Sequence, residues 1–565
     1  MKSETLKNAA VSTLVGATLV TGVILLAPTW GEEGSTGPSV QRPASRAMAA
    51  AGAGAPAAPA DLKALIGDHE AWLRDHPRDG QSWAVLGAAY VERGNRLGQP
   101  ADFPKAEQAL RHAMELGTGQ EGDVRALVGM AALSNARHDY VAARIWGERA
   151  RRQAPKAWTV YPVLIDAYNG LGDRKAVGKA TDAFQELHSG PQVQGREAQL
   201  YQDRGWREDA AALAYDATAN ARTRPEKAAA LVRQGDLAWE RGEAAEAVRH
   251  YDAALEADPD SHRALTGRAR ALVALDRTDD AQRDYQEALD KAPLPEYALE
   301  AGELAQSLGL DGDAATHYAR VRTLVEEARA HGVDDDLVLA RYEADHGDAA
   351  SAVRRLQGEW WRGHRSVDVA DAMGWALYRA GRAKDALPFA KLATGPEQRN
   401  ALFSYHRGEI ERDLGNHGPA RRHIEEALRT NPDFSPLHAP VARDSLSALG
   451  EPPPGGPVDM DGDGPDAVTV PAPSAGAGVP SAVPSVVPSA VPSAVPSAGV
   501  EASTSPSASS SAGASVAPQQ RMAQPSAAPS APSGPESASA SVAGGGESDS
   551  PTPPLPETGA SPRTP

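Results

Sequence analysis

The sequence predicts an all-α solenoid: about ten stacked helix pairs across residues 61–450, preceded by a short apolar segment and followed by a long Pro/Ser/Ala-rich tail. Three observations carry this prediction. Landmarks recur every 34 residues, at Ala247, Ala281 and Ala315, at Tyr251 and Tyr285, at Ala254 and Ala288, and at Pro259 and Pro293. Within each unit an amphipathic helix, a Gly-Asp or Gly-Arg turn and a second helix ended by Pro follow one another. Composition also divides the chain, because Gly (53) and Pro (45) concentrate at its ends while the middle is rich in Ala, Leu, Arg and Glu.

Charge and cysteine content exclude several classes of function. A formal net charge of -18 argues against nucleic acid or an anionic lipid surface as partner, since both require a basic face. With no cysteine there are no disulfides, thiolate metal sites or Cys nucleophile.

From the N-terminus, Lys2 and Lys7 precede an uncharged run from Ala9 to Ala27, and Glu32 and Glu33 follow it. Residues 1–30 therefore read as an export segment. The run is longer than a signal-peptide core of roughly 7–15 residues and just reaches the ~20 that span a bilayer, which favours an anchor. Ser12, Thr13, Gly16, Thr18, Thr21 and Gly22 dilute its hydrophobicity, so a cleaved signal stays open, although Ala47-Met48-Ala49 is a distant cleavage site. The lysines place the N-terminus inside and the rest outside, giving a single-pass cell-membrane protein or a secreted one. Residues 31–60 have small side chains and scattered Pro and Gly, and read as a flexible linker.

Over residues 61–450 each recurring residue has a physical reason. Gly242, Gly347, Gly381 and Gly415 let one helix stop and the next start. Small residues at the Ala247 and Ala254 positions let helices approach to ~8–10 Å, and Leu231 and Tyr251 fill the space around them. One pair cannot bury its apolar face, whereas stacked neighbours can. The unit Trp83-Ala84-Val85-Leu86-Gly87-Ala88-Ala89-Tyr90, with Ala143, Ala150 and Pro155 at later landmarks, closely resembles the tetratricopeptide repeat (TPR) family. Less regular units centre on Ala106, Ala176 and Ala210, and a lone helix from Leu65 to Pro77 is expected as a cap. The resemblance implies a right-handed α-solenoid of about ten TPR helix pairs, whose first helices line a concave groove that holds a peptide or a partner's helix. It implies no enzymatic activity and no cofactor.

Many TPR domains that recognise chaperone tails hold a carboxylate with Lys and Asn at the fifth and ninth positions of the first helix. The matching pairs here are Val232/Asp236, Thr266/Arg270, Glu300/Leu304, Leu337/Arg341, Asp371/Trp375 and Tyr405/Glu409, so that clamp is missing. The same register gives Trp375, Tyr378, Tyr405, Glu409 and Arg412 as the candidate peptide-binding groove, an aromatic-plus-Arg set suited to a binding hot spot. Packing between helices is the favoured reading for Trp375 and Tyr378, as it is for Trp360-Trp361-Arg362. No metal site is expected: His346 sits at an interhelical turn, and none of the fifteen histidines forms a helical zinc-hydrolase pair.

Residues 451–565 carry prolines at 480, 484, 488, 492 and 496 and are expected to stay disordered, since they offer too little apolar surface to offset their ordering entropy. Asp459-Met460-Asp461-Gly462-Asp463-Gly464 has the alternating carboxylates of a calcium loop, but Val470 stands where the bidentate Glu belongs, which favours a solvated acidic linker. Leu555-Pro556-Glu557-Thr558-Gly559 resembles a sortase signal, but the hydrophobic span and basic end such a signal needs do not follow it, which favours coincidence. The expected function is a non-catalytic scaffold of the cell envelope binding protein or peptide partners, with membrane contact through the N-terminal helix and no nucleic acid. The alternative is a cell-wall-associated spacer acting through its tail.

Overall fold

The computed structural model describes residues 42–117, 123–395 and 399–450. The predicted export segment, the calcium-like loop, the sortase-like motif and the tail lie outside them. The described residues form helices and turns only. The first helices are α1 (Pro43–Gly52), α2 (Pro59–Asp75), α3 (Gly80–Arg96), α4 (Phe103–Leu116), α5 (Val124–Ala136), α6 (Tyr140–Gln153), α7 (Val160–Leu171) and α8 (Arg174–Leu187). The middle of the array comprises α9 (Pro191–Asp203), α10 (Arg207–Asn220), α11 (Arg224–Glu240), α12 (Ala244–Ala257), α13 (His262–Val273), α14 (Thr278–Lys291), α15 (Pro295–Ser307) and α16 (Asp311–Ala330). It ends with α17 (Asp336–His346), α18 (Ala349–Arg362), α19 (Val367–Arg379), α20 (Ala383–Ala393), α21 (Ala401–Asp413), α22 (His417–Thr430) and α23 (His438–Ala448). From α3/α4 to α21/α22 these make ten successive helix pairs. Among the described residues no helix is long and apolar enough to cross a membrane.

Helix starts follow local chemistry. Asp79, Asp123, Asp139, Asp173 and Asp348 each accept backbone N–H groups at a first turn, and Thr223 with Glu226 forms a reciprocal capping box. Two expectations need correction. Gly347 does not adopt the left-handed turn found at Gly242, Gly381 and Gly415, since its φ is -141°. Nor is 31–60 an unbroken linker: Pro43–Gly52 is helical, Ala47 and Ala51 are buried, and Arg46 Nε donates to Asp61 Oδ2 at 3.0 Å. A proline at the first helical position and a run of alanines, the best helix formers, start α1. Small side chains then pack it on α2, so the expected lone cap helix has a partner.

Packing explains the recurring tyrosine. Tyr251 of α12 is fully buried, and a Cβ at Gly235 of α11 or Gly267 of α13 would overlap its ring. Only glycine at both places lets the ring enter between successive first helices.

The array also meets itself. Asn431 Nδ2 donates to the Trp239 carbonyl at 2.8 Å and Arg207 Nη2 to the Arg399 carbonyl at 3.1 Å, both across 192 residues. The Asp334 amide donates to the Arg137 carbonyl at 3.0 Å, Arg96 pairs with Asp258, and a Cβ on Gly98 would lie 3.2 Å from Ala292 Cβ. At 34 residues per unit, 192 residues is about five and a half repeats per turn of the coil. Two first helices are covered along their length: in α5 every residue from Ala126 to Ala136 is buried, and in α19 every residue from Val367 to Leu377.

Candidate functional site

The interior of the C-terminal part of the coil holds a cavity of about 270 Å³. First helices from α11 to α21 and the segment Asn431–His438 wall it. Its lining mixes aliphatic and aromatic side chains with ionisable ones. Arg270 donates through Nε and Nη2 to the two oxygens of Glu300, each at 2.7 Å, and Tyr285 Oη donates to Glu300 Oε2 at 3.1 Å. Trp375 Nε1 donates to Asp345 Oδ1 at 2.9 Å, with Arg379 and His438 on the same carboxylate. His406 stacks on Trp375 with centroids 4.0 Å apart, and its Nδ1 lies 3.0 Å from both oxygens of Asp371.

Acidity dominates the electrostatics. Burial, reinforced by the charge of Asp236, pushes the Glu240 carboxyl up to about 8 against the hydrogen bond from Gln202. Burial and the charge of Asp335 push Glu296 up to about 7. Asp345 goes the other way: burial would raise it, but His438, the Trp375 N–H and Arg379 together hold it at about 2.

One carboxylate cluster among the described residues converges closely enough to suggest a metal, at Asp334, Asp336 and Glu359. Arginines already fill it. Arg362 Nη2 is 2.6 Å from Asp334 and also pairs with Glu359, while Arg329 and Arg355 reach Asp336 at 2.9 and 3.0 Å. A neutralised cluster has little affinity left for a cation.

Residues 238–301, spanning the end of α11 to the middle of α15, match the family profile of the tetratricopeptide repeat. The repeats over these residues are tetratricopeptide repeats. Over 218 residues the chain is 25% identical to a tetratricopeptide repeat and J domain-containing co-chaperone, DNJ1, of Fusarium oxysporum f. sp. lycopersici. The match covers 37% of this chain and 35% of that protein, so the chain spans about a third of its relative's length. Among solved structures, a tetratricopeptide repeat protein from Parabacteroides merdae is 18% identical with a TM-score of 0.29, covering 46% of this chain and 98% of that one. The APC/C hetero-tetramer Cut9-Hcn1 is 14% identical with a TM-score of 0.38, covering 70% and 90%.

In TPR terms, the fifth and ninth first-helix positions do reach the interior: Arg270, Glu300, Leu304, Arg341, Asp371 and Trp375 all line the cavity. The five predicted groove residues are brought together, but mostly as packing. Trp375 and Tyr405 are 5% and 3% exposed, with ring centroids 5.8 Å apart, and Trp375 lies 5.0 Å from Tyr378. Glu409 is buried and accepts from Arg412 Nε and Nη2 at 3.1 and 2.6 Å. Of the five, Trp375 alone lines the cavity. Phe434 and His438 lie 5.5 and 5.4 Å from the Tyr405 ring, so the chain beyond the last repeat covers this side of it. The tryptophan pair on α18 splits: Trp360 packs inward and Trp361 is 80% exposed. His346 stacks on Tyr318 at 4.3 Å, a structural position.

Glu240, Glu296, Glu303, Asp345, His406 and His438 line the cavity and were missed. The 34-residue register could have shown His406, one residue after the groove position Tyr405. Glu240 and His438 come together only because the coil closes.

Proposed function

We propose that this chain is a non-catalytic scaffold whose interior channel, lined by the TPR first helices, receives a segment of a protein partner. The observation that carries the reading is the cavity of about 270 Å³, where clamp-register side chains from four successive repeats converge. Its mixture of arginine, carboxylates and a tryptophan suits recognition of a polar peptide more than chemistry on a small substrate. We place the scaffold at the cell envelope, with the repeats outside. Lys2 and Lys7 before the uncharged Ala9–Ala27 run support that placement.

A photo-crosslinking amino acid at position 338, inside the channel, compared with one at position 361, on the exposed α18, tests the binding face. In cells, position 338 should capture a discrete partner that position 361 does not. Capture from 361 only, or loss of all capture when residues 451–565 are removed, would move the function to the outer surface or the tail. Protease treatment of intact cells should digest the repeats, and their full protection would contradict the outside placement.

A further inference from the structure

The cavity has an unbalanced charge that points to its occupant. Its three arginines are all committed: Arg270 to Glu300, Arg341 to Asp368, and Arg399 to Glu426. Carboxylates remain. The nearest basic group to Glu303 is His346 Nε2 at 3.7 Å, beyond hydrogen-bond reach, and Asp371 is paired with His406 Nδ1 rather than with an arginine. The second observation is His406, a 5% exposed cavity-lining residue whose Nδ1 is held by Asp371 while its Nε2 has no partner. With the Nδ1 proton directed at Asp371, Nε2 is an acceptor waiting for a donor. Trp375 stacks on the same ring and offers an indole beside it.

From these contacts we propose that the cavity binds an aliphatic primary ammonium group, supplied by a lysine of a partner peptide or by a free polyamine. The ammonium would donate to His406 Nε2 and lie near Glu303, with its methylene stem along Trp375. An ammonium has three donors, which matches a site offering acceptors of different kinds, whereas an anion would meet surplus negative charge. At about 270 Å³ the space holds far more than one water, whose share of liquid volume is about 30 Å³. The inference rests on the channel being the binding face.

Titration calorimetry with spermidine, with hexalysine and with hexaglutamate, at about 150 mM salt, tests it on the full chain. At least one cation should bind saturably with one site per chain, and hexaglutamate should not. Glu303→Gln should weaken the cation by about tenfold or more while leaving the thermal melt in place. Should that variant fail to fold, His406→Phe, which removes the proposed acceptor, serves the same purpose. Binding by hexalysine alone assigns a peptide lysine, and binding by spermidine alone assigns a free polyamine. No heat from either, or several weak sites indifferent to both variants, overturns the proposal. If cations fail while crosslinking at position 338 succeeds, the scaffold reading stands without the ammonium site, and the reverse result removes the scaffold reading alone.

Discussion

Trp375 shows how one side chain can be both lining and core. Its ring is stacked on His406, its N–H is spent on Asp345, and it meets Tyr378, Tyr405 and His438. Trp375→Ala should therefore cost about 3–5 kcal/mol in urea unfolding, the range for removing a buried large aromatic. A loss under about 1 kcal/mol would mean that these contacts do not hold the C-terminal repeats together. The sequence register puts Trp375 in the groove, and the ring lines the cavity. It could not show that Tyr405 and Glu409 are covered, because their cover, Phe434 and His438, lies outside the repeat. His138 offers a pH test at the same scale. It sits at a positive φ of 60°, with Nδ1 3.0 Å from the Asp334 carbonyl and 3.1 Å from Asp335 Oδ1. Burial alone would lower its pKa, but Asp335 outweighs it and holds the imidazolium up to about 9. Because the folded value lies above the unfolded one of about 6.5, the charged contact is fully present below pH ~6.5 and is lost as pH rises through about 9. Hydrogen exchange of the Asp334 amide, bonded across turns to Arg137, should accelerate over that window beyond its intrinsic pH dependence, and His138→Gln should abolish the excess.

Helices were legible where their determinants are local. Asp caps, glycine turns and terminal prolines repeat every 34 residues, and the ten pairs follow from them. The helix α1 was not legible, since its buried face is alanine rather than a regular row of large apolar side chains, and it packs against α2. Nor was Gly347 distinguishable in sequence from the glycines that adopt positive φ. Gly242 illustrates an element boundary with two duties. Its φ of 75° suits glycine, and a Cβ there would sit 2.9 Å from Pro432 Cδ in the next turn of the coil. Gly242→Ala should thus cost about 1 kcal/mol from backbone strain and more from the contact. Gly381→Ala, at φ 74° with open space around it, should show the strain alone. Equal losses in chemical denaturation would argue that the inter-turn contact contributes nothing.

At the scale of the molecule, a small rotation per repeat accumulates until α11 and the end of α22 touch, and no short stretch of sequence encodes that sum. This is why the cavity's acidic lining was invisible while its arginine and tryptophan were not: the latter follow the register, whereas Glu240 and His438 arrive from opposite ends of one turn. The open concave groove that the family resemblance implies is narrowed to a partly open cavity where the turns are in contact. Everything proposed about its occupant depends on that closure. Because the chain contains no cysteine, a single engineered pair tests it directly. Gly98 and Ala292 belong to successive turns, with a Cβ–Cβ approach of 3.2 Å, close to the separation of about 3.8 Å that a disulfide needs. Under mild oxidation of dilute protein, Gly98→Cys with Ala292→Cys should form an intramolecular disulfide nearly completely. Two thiols that stay free, or link only between molecules, would contradict the closed coil.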